Sequence, residues 1–229
     1  MNLDLEILNY FNSFAQKVPS FDVLVKIIST NHLIKGGFFM IVFWYLWFHK
    51  NNLRDRTTMV SNMVGSVLVM ISARALAMIL PFRHRPKLNS DLDFLLPIGS
   101  RQEELMSNSS FPSDHAALFY SLSMGFYLVS RKAGIAAFIY SFFIISLPRI
   151  YLGLHYPSDI LGGAVLGILG VMAANIPSVK NKIAPPLLKT ESTYPGLFYA
   201  SLFLISFQIS SLFEESREIM KYFTRLLGA

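Results

Sequence analysis

Residues 149–159 read RIYLGLHYPSD, and this stretch lies between two apolar segments. It places a permanent cation, Arg149, a titratable imidazole, His155, and a carboxylate, Asp159, in a chain that is otherwise mostly apolar. Ionisable side chains next to a bilayer are costly and generally have a functional role there. The stretch therefore predicts a polar turn between two membrane-spanning helices, and it predicts a functional site at that turn.

The composition agrees with a membrane protein. Of 229 residues, 53% are hydrophobic and 15% are charged, and the mean hydropathy is +0.46. These values are typical of membrane proteins rather than soluble domains. The net charge of +6 comes from basic residues in short loops, so we expect anionic lipids and anionic substrates as partners, and no nucleic acid. Cysteine is absent from the sequence, which excludes disulfides and thiol chemistry. Residues 1–20 lack the basic start of a cleavable signal peptide.

Six apolar segments predict six membrane-spanning helices, at residues 33–48, 58–82, 116–129, 133–147, 160–174 and 197–213. Several are shorter than the ~20 residues that cross a bilayer, so we expect their ends to extend into the flanking polar stretches. Residues 1–30 mix apolar and polar positions at roughly helical spacing, which predicts one or two interfacial helices. The charged segment Glu214–Ala229 predicts a helical cap. The expected fold is a single all-α domain over residues 1–229, a polytopic six-span transmembrane bundle with N-terminal interfacial helices.

Basic residues are concentrated in three short loops, 49–57, 130–132 and 177–194. The positive-inside rule predicts that these loops are cytoplasmic. Residues 83–115 and 149–159 then lie together on the extracytoplasmic face, and six spans place both termini on that face as well. The eight basic residues of the three loops are Lys50, Arg54, Arg56, Arg131, Lys132, Lys180, Lys182 and Lys189, against the acidic Asp55 and Glu191.

A second polar cluster follows the second apolar segment and reads RHRP, residues 83–86. Arg85 and Arg149 can each present a planar fork of donors to a phosphate at any pH, and Arg83 is a third candidate. The proline after Arg85 prevents the preceding helix from continuing. Alternatively, these cations anchor a helix end at the lipid headgroups. Their position on the same face as two other polar clusters favours a phosphate pocket.

A third cluster, FPSDH at residues 111–115, directly precedes an apolar helix. Ser113 and the free backbone N–H groups at that helix start can hold an anion. Alternatively, Ser113 or Asp114 is an ordinary helix cap. A cap does not require His115, which becomes a plausible proton donor when it is paired with His155.

The pair of His155 and Asp159 has a spacing of four residues, so the two side chains are neighbours if the segment begins a helix. A carboxylate bonded to one ring nitrogen fixes the tautomer and leaves the other nitrogen free to attack phosphorus. Two alternatives are that Asp159 caps the helix while His155 packs at the interface, and that both bind a metal ion. Nearby arginines would repel a divalent cation, so we expect no metal and no other cofactor.

These residues together predict a two-step phosphoryl transfer. His155 attacks phosphorus and forms a phosphohistidine, while His115 protonates the leaving oxygen. His115 then activates the water that releases phosphate, and the arginines and N–H groups stabilise the charged equatorial oxygens.

The three clusters, in this order, resemble the signature of the type 2 phosphatidic acid phosphatase family. The family pattern is Lys-x6-Arg-Pro, then Pro-Ser-Gly-His, then Ser-Arg-x5-His-x3-Asp, and the resemblance covers about residues 58–176. It implies a six-span bundle with a catalytic core at residues 58–176, an extracytoplasmic loop at residues 83–115 and a metal-independent site. It also implies that His155 is the nucleophile, Asp159 orients it and His115 is the acid. The phosphate-binding residues would be Arg85, Arg149 and Ser113, with Arg83 and Asp114 at the same site.

The sequence departs from this pattern at three positions. Met78 stands where the family has lysine, and we expect Arg83 to substitute for it, with Arg74 as the alternative. Asp114 replaces the family glycine, so its carboxylate must face away from the phosphate. Pro148 replaces the serine before the arginine. Both histidines are retained, so we expect an active enzyme.

The Phe-Pro-Ser-Asp-His variant looks like that of bacterial undecaprenyl pyrophosphate phosphatases within the family. This likeness implies that undecaprenyl pyrophosphate is dephosphorylated at the periplasmic face of the cytoplasmic membrane, in cell wall biogenesis. Alternative substrates to undecaprenyl pyrophosphate are phosphatidylglycerophosphate, phosphatidic acid and lipid A. An alternative reaction is transfer of the phosphate to another lipid. Residues 87–110 form either a lid or, as we expect, a plain surface loop. A non-enzymatic alternative is an anion-binding transporter, which the intramembrane Arg74 favours and the lack of an inverted repeat disfavours.

Overall fold

The computed structural model describes residues 3–50, 52–100, 108–214, 216 and 219. The regular structure in this part of the chain is helical. The helices are α1 (Leu3–Asn12), α2 (Pro19–Thr30), α3 (Leu33–His49), α4 (Leu53–Ile79), α5 (Asp114–Val129), α6 (Arg131–Tyr151), α7 (Pro157–Ala174), α8 (Pro177–Thr193) and α9 (Pro195–Ser210). Helix α3 begins with a π-helical turn and α6 contains one at Ser141–Ser146.

The prediction of an all-α membrane protein is confirmed, without the predicted number of spans. Helices α4, α6 and α7 are long and apolar enough to cross a membrane, and α2 with α3 qualifies as one span bent by 60°. The described helices therefore give three candidate spans, or four with the bent pair, against the six that we predicted. The difference arises because α5 and α9, which cover the third and sixth predicted segments, have 16 residues each.

Residues 177–194, which we predicted to be a loop, form helix α8 instead. We did not predict this helix because it contains two prolines, Pro185 and Pro186. Proline removes a helical hydrogen bond and generally interrupts a helix. Tertiary contacts hold the segment in place: Glu191 pairs with Arg56 at 2.6 Å, and Ala184 is completely buried. The predicted helical cap at Glu214–Ala229 lies almost entirely outside the described residues.

Helix α5 packs against α4, α6 and α7 at the centre of the bundle. Its closest approach is to α7, where Gly163 and Gly167 lie on one helical face with Asp159. A Cβ atom on either glycine would overlap a backbone carbonyl oxygen of α5 or of the residue before it, so small residues permit the contact. This approach lets the Ser113 N–H donate to the carbonyl oxygen of Asp159 at 3.1 Å. It thereby places the start of α5 next to Asp159.

A large apolar cluster holds the opposite side of α5 against α3 and α9. Between membrane-spanning helices such a cluster stabilises the contact by close van der Waals packing of the side chains, and not by removing apolar surface from water. The aromatic members of this cluster are Phe39, Phe43, Trp47, Phe119, Phe126 and Phe198.

The two N-terminal helices pack against the loop that follows α4. Asn12 of α1 exchanges two hydrogen bonds with the backbone of Leu95, at 2.7 and 2.9 Å. Asp22 of α2 accepts from the N–H of Ile98 at 2.8 Å and also from the hydroxyl of Tyr151. These contacts gather α1, α2, the loop and the end of α6 at one end of the bundle.

Candidate active site

The structure brings the three polar clusters together at this end of the bundle. A guanidinium nitrogen of Arg85 donates to the carbonyl oxygen of Leu154 at 2.8 Å and lies 3.3 Å from Nε2 of His155. The N–H of Ser110, next to the FPSDH segment, donates to the carbonyl oxygen of Arg83 at 2.9 Å. Residues as far apart in sequence as Arg85 and His155, 70 positions, thus meet in one site.

The turn between α6 and α7 accommodates Arg85 because it contains Gly153. Gly153 has a φ of +64°, a backbone conformation that glycine adopts without steric cost. A Cβ atom here would lie 2.6 Å from the ring of Phe94 and 3.0 Å from Cβ of Lys87. The missing side chain lets the N–H of Lys87 donate to the carbonyl oxygen of Gly153 at 3.0 Å. The segment that carries Arg85 is thereby fastened to the turn that carries His155.

His155 is buried, and both of its ring nitrogens have neighbours. Its Nδ1 lies 2.8 Å from the carbonyl oxygen of Ser110 and 3.7 Å from Oδ2 of Asp159. Since a carbonyl can only accept, Nδ1 carries the proton and Nε2 keeps its lone pair. Burial lowers the pKa of His155, and the positive charges of Arg85 and Arg149 lower it further, although Asp159 opposes them. The ring is therefore neutral near pH 7, as a nucleophile must be.

The carboxylate of Asp159 is fully buried and accepts three hydrogen bonds. Its Oδ1 accepts from a guanidinium nitrogen of Arg83 at 2.5 Å. Its Oδ2 accepts from the Ser110 hydroxyl at 2.5 Å and from the N–H of Tyr156 at 2.8 Å. Ser110 was not predicted, because it lies outside every recognisable spacing pattern and reaches the site only through the folded loop.

Arg83 is bound by carboxylates rather than placed in a phosphate pocket. Besides Asp159 it donates to Asp4 at 2.8 Å and to the hydroxyl of Ser158 at 2.8 Å, and it lies over the ring of Tyr156 at 4.0 Å. This arrangement does not support the phosphate-binding role that we predicted for Arg83. The physical reason is that two carboxylates already satisfy both terminal nitrogens of the guanidinium.

His115 and Asp114 form a second imidazole–carboxylate pair. Oδ1 of Asp114 lies 2.8 Å from Nδ1 of His115, and Oδ2 pairs with Arg74 at 2.5 Å. The other ring nitrogen of His115, Nε2, is buried without a hydrogen-bond partner among the described residues. The carboxylate of Asp114 is thus occupied by Arg74 and His115, and among the described residues His115 is not part of the wall of the cavity next to His155.

Neither Ser113 nor Arg149 is among the residues that line the cavity next to His155. Oγ of Ser113 accepts from the N–H of Ala116 at 3.4 Å, which is the helix-cap alternative. Arg149 is buried and donates to the carbonyl oxygen of Ser29 at 3.4 Å. Its own carbonyl oxygen accepts from the N–H groups of residues 154 and 155 and so supports the turn.

A cavity of about 410 Å³ opens at the Nε2 side of His155. One part of its wall is polar and contains cations, and the other part is apolar and comes from the end of α4 and the residues after it. Met78 and Phe82 on the apolar part are 85% and 51% exposed, so this wall continues onto the apolar outer surface. The polar lining residues are Arg74, Arg85, Asn108, Ser109, Asp114 and His155, and the apolar ones are Ala73, Ala77, Met78, Leu80, Phe82 and Pro112.

Comparisons with known proteins identify the family of this chain. The model of the PAP2 superfamily matches residues 64–181. The bacitracin transport permease protein BcrC of Bacillus licheniformis is 24% identical over 170 residues, which cover 74% of this chain and 78% of that protein. The putative undecaprenyl-diphosphatase YbjG of Escherichia coli is 23% identical over 175 residues, 76% of this chain and 82% of that protein. The crystal structure of Aquifex aeolicus LpxE shares the fold, with a TM-score of 0.50 and 24% identity over 76% of this chain and 95% of that one.

Proposed function

This chain belongs to the PAP2 superfamily, and on that premise we propose that it is a membrane enzyme that removes phosphate from a lipid phosphate or pyrophosphate. The observation that carries the proposal is the two-sided cavity. A neutral imidazole and two arginines line one part, and exposed apolar side chains of α4 and the following loop line the other. A lipid headgroup attached to a hydrocarbon chain matches such a cavity in charge and polarity.

We propose undecaprenyl pyrophosphate as the substrate and undecaprenyl phosphate as the product. The similarity to a putative undecaprenyl-diphosphatase of Escherichia coli supports this choice. A phosphatase for phosphatidylglycerophosphate, phosphatidic acid or lipid A, or a lipid-to-lipid phosphotransferase, would use the same site. These alternatives are separated by the lipid that loses phosphate fastest and by whether water or a second lipid receives it.

We also propose a six-span topology in the bacterial cytoplasmic membrane, formed by α3, α4, α5, α6, α7 and α9. The basic segments 49–57 and 130–132, which include the first residues of α4 and α6, and helix α8 would be cytoplasmic. Residues 83–100 and 108–115 and the catalytic end of the core at residues 58–176 would face the periplasm. Helices α1 and α2 would then lie at the outer interface, beside the active site.

In the proposed first step, Nε2 of His155 attacks the terminal phosphorus. A phosphorus–nitrogen bond forms as the bond from phosphorus to the leaving lipid oxygen breaks, and that oxygen receives a proton from Nε2 of His115. The Nδ1–H of His155 stays directed at the Ser110 carbonyl, and Asp159 stabilises the positive ring of the phosphohistidine. Arg85, 3.3 Å from the attacking nitrogen, is placed to stabilise the phosphoryl oxygens.

In the proposed second step, Nε2 of His115 accepts a proton from water as that water attacks phosphorus. The phosphorus–nitrogen bond breaks, inorganic phosphate leaves and His155 returns to its neutral form. The ring of His115 suits both directions of proton transfer because Asp114 holds its Nδ1 at 2.8 Å. Two titratable groups with opposed tasks are characteristic of such acid–base sites.

We propose that Arg74, and not Arg83, takes the place of the missing lysine. Arg74 lines the cavity and pairs with Asp114, so it supplies positive charge where the substrate phosphate would lie. It also neutralises the carboxylate that Asp114 introduces. Among the described residues, neither Ser113 nor Arg149 lines the cavity, so we propose that both support the site from behind, while direct phosphate contact by them stays a prediction.

The test is phosphate release by the purified protein in detergent. Farnesyl pyrophosphate, undecaprenyl pyrophosphate and phosphatidic acid would be compared, each with and without a chelator. We expect release in both conditions and an acid-labile phosphoenzyme in the wild type. His155→Ala should eliminate turnover, and His115→Ala should lower it by about 10²-fold. Activity of His155→Ala would refute the nucleophile, loss of activity with the chelator would refute the metal-free mechanism, and no release from any lipid would favour a transporter.

A further inference from the structure

We propose that helix α1 is a functional part of the active site, in which Asp4 is a positioning residue that holds Arg83 against Asp159 and so orients His155. This inference rests on the proposed function. Helix α1 lies outside residues 64–181, the segment that the PAP2 superfamily model matches. A helix outside the segment that the superfamily model matches would therefore help to hold the nucleophile in place.

Helix α1 is fastened to the catalytic end of the bundle by its apolar face. Leu8, four residues after Asp4, is 1% exposed and belongs to a cluster with buried residues of α5, α6 and α7. Residues four apart lie on the same face of a helix, so the packing of Leu8 directs Asp4 towards the same elements. The buried partners of Leu8 in this cluster are Ala116, Ile150, Tyr156 and Ile160.

Asp4 is bound at the start of helix α7. Its Oδ1 accepts from the N–H of Ser158 at 2.8 Å, and its Oδ2 accepts from the Ser158 hydroxyl at 2.5 Å and from Arg83 at 2.8 Å. Burial raises the pKa of Asp4, but the hydrogen bonds from Ser158 and Arg83 outweigh it and leave the pKa below its ordinary value. Asp4 is therefore a carboxylate at neutral pH.

Arg83 connects this carboxylate to the catalytic one. One terminal nitrogen donates to Asp159 at 2.5 Å and the other to Asp4 at 2.8 Å. A planar guanidinium can bridge two carboxylates in this way, whereas a lysine presents a single charged nitrogen. Asp159 in turn lies 3.7 Å from Nδ1 of His155. The four side chains form a continuous path from α1 to the attacking imidazole.

The charges along this path explain why Asp4 matters for the reaction. Without Asp4, the positive charge of Arg83 would partly neutralise Asp159. Asp159 would then be less able to stabilise the positive ring of the phosphohistidine. The charge of Asp4 offsets that of Arg83 and leaves Asp159 effective towards His155. A purely structural Asp4, which only caps α7, would influence stability but not the ionisation of His155.

The experiment compares Asp4→Asn with Glu6→Gln, which removes the same charge from an exposed position on the same helix. We expect Asp4→Asn to lower kcat by roughly 10-fold to 100-fold with a smaller effect on KM, because Asp4 is not among the residues that line the cavity. Glu6→Gln should match the wild type, and Asp4→Glu should restore part of the rate.

The pH profile supplies a readout that a structural role would not move. The groups facing His155 are Arg85 from the loop, Arg149 from α6, Asp159 from α7 and Asp114 from α5. Loss of the negative charge at Asp4 makes the protonated ring less stable. The acidic limb of kcat/KM should therefore move to lower pH in Asp4→Asn and stay in place in Glu6→Gln.

If Asp4→Asn does not fold, Arg83→Lys tests the same connection and should show the same loss of kcat. If the wild type is active and Asp4→Asn has the same rate and the same acidic limb as Glu6→Gln, this inference is overturned and the proposed function stands. A wild type that releases no phosphate would instead overturn the function. The ¹⁵N-imidazole titration of His155 by NMR, in the wild type and Asp4→Asn, would then decide the inference by itself.

Discussion

The two histidines of the site are held in the same way, by an acceptor at Nδ1 that leaves Nε2 for chemistry. For His155 the acceptors are the Ser110 carbonyl and, farther away, Asp159. For His115 the acceptor is the carboxylate of the preceding residue, Asp114. The two Nε2 atoms differ in their surroundings, since one faces Arg85 and the other has no partner among the described residues. This difference suits one ring for attack and the other for proton transfer.

The first prediction at this scale concerns pH. Because burial, Arg85 and Arg149 place the pKa of His155 below its ordinary value of 6.5, the ring loses its proton before neutral pH is reached from the acid side. The acidic limb of kcat/KM should therefore lie below pH 6.5. The profile would be measured on two lipid phosphates, because a limb that belongs to the substrate moves with the substrate. A limb at or above 6.5 on both would contradict the neutral nucleophile.

A second prediction concerns the pair formed by Arg74 and Asp114. Arg74→Ala removes a cation from the cavity and also leaves the carboxylate of Asp114 unneutralised there, so kcat/KM should fall by about 100-fold or more. Changing Asp114 to the family glycine in the Arg74→Ala background should recover part of that loss. Kinetics of the two single variants and the double variant form the cycle. Losses that simply add would show that the two side chains act independently.

Sequence patterns predicted the site residues that share a motif, and missed those that meet only after folding. His155, Asp159 and Arg85 were identified from spacing within short segments, and the structure brings these three side chains together. His115 pairs with Asp114, which lines the cavity, but His115 itself is not among the lining residues. Asp4 and Ser110 have no such spacing signal. Arg83 was assigned to phosphate because it is close to Arg85 in sequence, whereas its actual partners are carboxylates from α1 and α7.

At the scale of elements, the contact between α5 and α7 positions the site most directly. Gly163 and Gly167 allow the two backbones to meet, and the same face of α7 carries Asp159. The carboxylate that we propose to orient His155 is thus positioned by a helix contact that requires glycine at two positions of α7. Helix α8 shows the opposite case. Tertiary contacts maintain this helix although it contains two prolines, and proline has the lowest helix propensity of all residues.

We predict that Gly167→Ala destabilises the protein and Gly196→Ala does not. A Cβ atom at Gly167 would overlap the Ala117 carbonyl oxygen and lie 3.0 Å from the Ser121 nitrogen, whereas the same atom at Gly196 has no described heavy atom within 4 Å. Overpacking of this kind costs about 1–3 kcal/mol. The gain in helix propensity from alanine, about 1 kcal/mol in a helix interior, offsets part of this cost at Gly167, whereas Gly196 lies in the first turn of α9. Thermal unfolding in detergent would measure the difference. Equal midpoints for the two variants would show that the helices can separate without loss.

At the scale of the whole molecule, the arrangement of charge predicts the orientation in the membrane. The absence of native cysteine allows single cysteines to be introduced as labels. Ser90→Cys, on the loop beside the site, should react with a membrane-impermeant maleimide in intact cells, and Lys132→Cys should react only after permeabilisation; both positions are exposed. Phosphate release by each variant controls for folding. Labelling of Lys132→Cys in intact cells would reverse the proposed topology.

The count of six spans is the part of the fold prediction that the described helices do not confirm. Hydropathy located every apolar segment, but length and composition give three or four candidate spans among the described helices. The reason is that α5 and α9 have 16 residues each, short of the ~20 needed for a straight crossing. The first two residues of α5, Asp114 and His115, are polar, so the apolar part of that helix is shorter still.

The apolar wall of the cavity also determines how the enzyme meets its substrate. Since Met78 and Phe82 continue the wall onto the outer surface, a lipid can enter sideways while its hydrocarbon chain stays within the bilayer. The relevant concentration is then the surface density of lipid in its own leaflet, and not the amount dissolved in bulk solution. Diluting the substrate with inert detergent at constant total substrate would slow such an enzyme, and a water-soluble phosphate ester would be a poor substitute for the lipid.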